Sequence, residues 1–110
     1  MARTEITVEV AGISGLQPTQ TNLIADGHSF KPHRDIHVRV NNGATAFTLT
    51  IPTSRTVDGL AVADKTISIG SNEEHVINFR DVDIANFIQS DGLIYLDYSN
   101  VSDGNVEVYR

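Results

Sequence analysis

Residues 35–51 restrict the fold of this chain more than any other stretch. They read Asp-Ile-His-Val-Arg-Val-Asn-Asn-Gly-Ala-Thr-Ala-Phe-Thr-Leu-Thr-Ile. Ile36, Val38 and Val40 alternate with His37 and Arg39, and Phe47, Leu49 and Ile51 alternate with Thr48 and Thr50. A period of two sends neighbouring side chains to opposite faces of a strand, so each run carries one apolar and one polar face. Asn42-Gly43 lies between them and tolerates the backbone of a tight reversal. The stretch predicts a β-hairpin.

The same reading extends along the chain. Thr4 to Val10 alternates, with Ile6, Val8 and Val10 on one side. Residues 11–34 are irregular, interrupted by Gly12, Gly15, Pro18, Gly27 and Pro32, with a short strand expected near Thr21–Ala25. A loop of this length in a small domain is a candidate for function. Pro52 ends the second strand of the central stretch, because it cannot donate to a ladder. Asp58-Gly59 marks a turn, and Leu60 to Ala63 is expected to return into the core. Strands follow at Thr66–Ile69, Glu74–Phe79, Leu93–Tyr98 and Asn105–Tyr109. The one helical candidate is Asp81 to Gln89, with Asp81 or Asp83 capping its start.

About seven strands punctuated by turns predict an antiparallel β-sandwich or Greek-key barrel, all-β with at most one short helix. The 110 residues make a single domain, 1–110. The expected core comprises Ile36, Val38, Val40, Phe47, Leu49, Ile51, Ile67, Ile69, Ile94 and Leu96.

Charge narrows the partners. Eight Lys plus Arg against fourteen Asp plus Glu leave a net charge of −6. That balance argues against nucleic acid, which needs a cationic surface, and against docking on an anionic membrane. With no Cys there is no disulfide, thiolate metal site or Cys nucleophile. The opening Met-Ala-Arg-Thr-Glu-Ile lacks the apolar core of a signal peptide, so synthesis in the host cytoplasm is expected and the Asn100-Val101-Ser102 sequon reads as chance.

No constellation of chemistry emerges. His28, His33 and His37 are close in sequence, but Pro32 opposes a helix across them and no carboxylate completes a ligand set. Surface or interface positions are the better reading, and no metal or other cofactor is expected. Asp81, Asp83, Asp91 and Asp97 read as caps and turns rather than a calcium loop or paired acids. Ser14, Ser54 and Ser68 lack a nucleophile-elbow context. Phe30, Tyr95, Tyr98 and Tyr109 could stack on sugars, with core or interface packing the stronger reading. No catalytic residue, enzymatic activity or small-molecule substrate is expected.

Three segments carry a resemblance: Val57-Asp58-Gly59-Leu60-Ala61-Val62-Ala63-Asp64 with the strand after it, Gln89-Ser90-Asp91-Gly92, and Tyr95-Leu96-Asp97-Tyr98-Ser99. Together, over Phe30 to the end, they resemble small virion proteins of tailed bacteriophages found near capsid genes. Some all-β proteins of this size are capsid decoration (cement) proteins. The resemblance implies a structural protein on the capsid exterior of the virion. Its partner would be the major capsid protein, and it would form a homo-oligomer, first of all a trimer. A neck or tail component, or a carbohydrate-binding module, is the alternative. Within that frame, Phe30, His33 and Arg34, with the arm through Thr4, are the expected capsid contacts. Phe30 would supply apolar area and Arg34 a bidentate bond to a capsid carboxylate.

Overall fold

A computed structural model of the chain describes residues 3–33, 35–54, 56–61, 63–79 and 84–110, with the backbone alone at positions 56, 57, 61 and 84. The strands are β1 (Thr4–Glu5), β2 (Thr21–Asn22), β3 (His28–Phe30), β4 (His37–Asn41), β5 (Phe47–Ile51), β6 (Thr56–Val57), β7 (Leu60–Ala61), β8 (Lys65–Ile69), β9 (Glu74–Asn78), β10 (Ile94–Tyr98) and β11 (Asn105–Tyr109). The chain is all-β. The expected helix is one 3₁₀ turn, Ile84–Phe87, and its proposed caps Asp81 and Asp83 lie outside the described residues.

Two sheets form the sandwich. The first has the order β1-β3-β10-β5-β8 and the second β2-β11-β4-β9, with β6-β7 as a separate hairpin. Number β2, β3, β4, β5, β8, β9, β10 and β11 from 1 to 8, and the sheets become 2-7-4-5 and 1-8-3-6. That is the strand order of a jelly roll, two interlocked Greek keys. Pairing is antiparallel except where β1 runs parallel to β3 and Glu9 bridges Tyr109.

Residues 35–51 do not form a hairpin. β4 pairs with β11 and β9, whereas β5 pairs with β10 and β8 in the opposite sheet. The stretch is an arch whose two apolar rows face each other across the core. Val38 and Val40 look in from one side, Phe47, Leu49 and Ile51 from the other, all buried. The Asn42–Ala46 link is tied to the neighbouring arch between β8 and β9. Asn42 Nδ2 donates to Thr45 O and Gly70 O, both at 2.9 Å, and Asn72 N donates to Gly43 O at 2.7 Å. Gly43 is needed there for space, since a Cβ would meet Asp103 Cβ at 2.8 Å. The tight reversal sits instead at Asp58-Gly59, with φ of 52° and 80°, the positive values that a two-residue hairpin turn requires.

One core unites the sheets. Of the ten expected core residues, nine are buried and Ile67 packs partly buried against them. Leu23, Phe30, Phe79, Val106 and Val108 join them. Phe30–Phe79 and Phe79–Phe87 form an aromatic chain with centroids 6.1 and 5.9 Å apart. The segment expected as one strand from Thr4 to Val10 crosses between sheets. It pairs with β3 at Thr4–Glu5, lays Ile6 and Val8 against the core, and reaches β11 at Glu9. It closes one side of the sandwich. On the other side, β8 and β9 each have one partner strand among the described residues, so both are open edges.

Candidate functional site

Alternation along β4, β9 and β11 turns a grid of side chains outward, all polar but for the exposed Val76. The register aligns Asn105, Asn41 and Glu74 in one row, Glu107, Arg39 and Val76 in the next, and Tyr109, His37 and Asn78 in the third. Asn41 Nδ2 donates to Asn105 Oδ1 at 2.9 Å and to Glu107 Oε1 at 2.8 Å. Arg39 Nη2 contacts both oxygens of Glu74 at 3.0 Å. This hydrogen bond, reinforced by the carboxylate charge, raises the affinity of the guanidinium for its proton. His37 and Tyr109 stack with ring planes 7° apart and centroids 5.3 Å apart.

A polypeptide wall turns this face into a groove. Gln17, Pro18, Thr19 and Gln20 rise beside Arg39, Asn41, Glu74 and Glu107 around a space of about 570 Å³. The wall is fastened from beneath: Thr19 N donates to Glu9 Oε1 at 2.7 Å and Thr19 Oγ1 to Glu9 Oε2 at 3.2 Å. Glu107 points outward, yet only 4% of it is exposed.

The outer face of the first sheet is arranged differently. Arg3 Nη2 clamps Asp97 at 2.7 and 2.9 Å, and its guanidinium carbon lies 4.0 Å from the Tyr95 ring centre. Tyr95 Oη donates to Asp91 Oδ2 at 2.7 Å. That bond holds the Asp91 carboxyl below its usual range and raises the Tyr95 phenol. The arm at Arg3 is therefore docked on its own sheet.

The expected contact residues separate. Phe30 is 0% exposed, so its apolar area belongs to the core and cannot meet a partner; this corrects the expectation, because β3 is an inner strand where an irregular loop was read. His33 is half-buried and lines a small cleft with Lys31 and Glu5–Val8. Arg34 lies outside the described residues. The three histidines also part company. His28 is buried, with Nδ1 2.7 Å from Tyr98 Oη, and desolvation lowers its pKa; the surface reading of His28 is corrected. Burial likewise pushes the Tyr98 phenol far up. Among the described residues, no group of three or more His, Asp or Glu could hold a metal ion.

The aromatic platform is dispersed. Phe30 is in the core, Tyr98 packs against Phe47 and His28, Tyr95 lies under Arg3, and Tyr109 sits on the opposite sheet. Sequence reading missed the groove, since Glu107 and Asn41 meet across 66 residues. It also missed the protruding apolar tips. Ile13 is fully exposed at 108%, Val10 at 60% and Leu60 at 74%. Leu60 thus stands on the β6–β7 hairpin rather than returning into the core, and Val62 lies outside the described residues. No family model, curated protein or solved structure matches the chain.

Proposed function

We propose that the chain is a structural component of a tailed-phage virion that binds the outer surface of the head and stabilises it, with no catalytic role. The observation that carries this reading is the exposure of two large aliphatic side chains, Val10 and Ile13, at the start of the irregular segment. Large aliphatic side chains left in water gain from burial against a partner protein. The closed edge beside them supplies rigidity, because Ala11 N donates to Arg110 O and Arg110 N to Glu9 O. With Phe30 in the core, the contact set shifts to Val10, Ile13 and the His33 cleft. The net charge of −6 suits the outside of a head, away from packaged phosphate. The open edges of β8 and β9 suit a trimer, since neighbours in a symmetric assembly can cover strand edges.

The test is binding of the purified protein to heads that lack it, followed by a cryo-electron map. Density is expected on the shell exterior at threefold or quasi-threefold positions. Ile13→Asp is expected to weaken binding at least tenfold with the melting temperature unchanged. Density confined to the neck or tail would replace the decoration reading with the neck or tail one. Undiminished binding by the variant would move the adhesive surface elsewhere.

A further inference from the structure

The groove over the second sheet has hydrogen-bonding capacity that the fold leaves idle. The Gln17 and Gln20 side chains make no hydrogen bond among the described residues, although both line it. Asn41 Oδ1, sealed beneath the floor, has no partner among the described residues and would reach a ligand only if its side chain turned. Arg39 and Glu107 are meanwhile held in place by Glu74 and Asn41. Planar groups fixed on the floor, with exposed carboxamides on the wall beside them, supply donors and acceptors that can orient a polar ligand. About 570 Å³ is within the size range of ligand clefts.

We infer that this groove binds a neutral glycan, a function that does not depend on the virion reading. Carboxamide and carboxylate groups pair with adjacent hydroxyls, each hydroxyl both donating and accepting. One guanidinium against two carboxylates leaves a net negative lining, which disfavours sialylated or sulfated sugars. One row along the same strands, the His37–Tyr109 stack provides an aromatic flank for the apolar face of a pyranose ring. A sugar chain presents both kinds of surface, whereas a polyamine presents cations and would use the carboxylates alone.

The experiment is a glycan array spanning neutral hexose and N-acetylhexosamine oligosaccharides, with sialylated glycans as controls, followed by amide NMR titration with the best neutral hit and with spermidine. Saturable shifts are expected at the amides of Gln17, Thr19, Gln20, Arg39, Asn41 and Glu107. The double variant Gln17→Ala/Gln20→Ala is expected to melt at the wild-type temperature and to lose at least tenfold in affinity. Glu107→Gln, which keeps the shape and an acceptor oxygen, is expected to retain part of the binding. Absence of any neutral hit, preference for sialylated glycans or spermidine, shifts outside the groove, or unchanged affinity in the double variant would each overturn the inference. None of these results bears on whether the protein binds phage heads.

Discussion

The two outer faces of the sandwich are built from the same alternation and used in opposite ways. On the first sheet, Arg3, Tyr95, Asp97 and Asp91 engage one another, and the result is an N-terminal arm fastened to its own domain. On the second sheet, the internal bonds of Asn41, Glu107, Arg39 and Glu74 fix the groove floor, while Gln17 and Gln20 above it make no hydrogen bond among the described residues. A polar surface that satisfies itself adds to stability. A polar surface held rigid but incomplete adds little to stability and is available for recognition. The difference separates what holds this molecule together from what it can offer.

The comparison rests on a common core, so the largest expected effect is its loss. Phe30→Ala should destabilise the protein by about 3–5 kcal/mol, as for a large buried aromatic, and disturb both faces together. Chemical denaturation measures it; a loss below about 1 kcal/mol would mean that Phe30 is not buried as described.

The next effect belongs to the inner side of the first sheet alone. His28 is held neutral by burial, so its folded pKa lies below the unfolded value of 6.5. Below that pH the unfolded chain binds the extra proton and the folded chain does not, so stability falls as pH drops. Melting temperature should decline between pH 6.5 and 5, above the window in which Asp91 and Glu73 begin to protonate. His28→Gln should flatten that slope. An equal slope in the variant would assign the effect to another group.

The smallest pair of effects tests the faces directly. Arg3→Ala removes a bidentate ion pair and a cation–π contact at a partly exposed site, a loss of about 1 kcal/mol. Gln20→Ala on the other face should stay within about 0.5 kcal/mol of wild type. Equal losses would erase the distinction.

Periodicity made the core legible. Ile36, Val38, Val40, Phe47, Leu49 and Ile51 are inside because alternation reports which side of a strand is apolar. It does not report which strand lies alongside. Two amphipathic runs joined by Asn-Gly satisfy the pattern equally as a hairpin within one sheet or as an arch between two, and here the partners β11, β9, β10 and β8, distant in sequence, decide for the arch. The strand that carries Phe30 was illegible for a related reason. A three-residue strand between Gly27 and Pro32 is too short to show a period, and its place was set by pairing with β10. The groove was beyond sequence reading, since none of its side chains carries a local motif.

Hydrogen–deuterium exchange of the protein free and bound to undecorated heads tests the central claim most directly, because it reports on both faces and the rim at once. The account predicts slowed exchange at residues 9–16, with unchanged exchange along β10 beneath the Arg3 clamp. Protection over β10 and the arm, with none at residues 9–16, would contradict it.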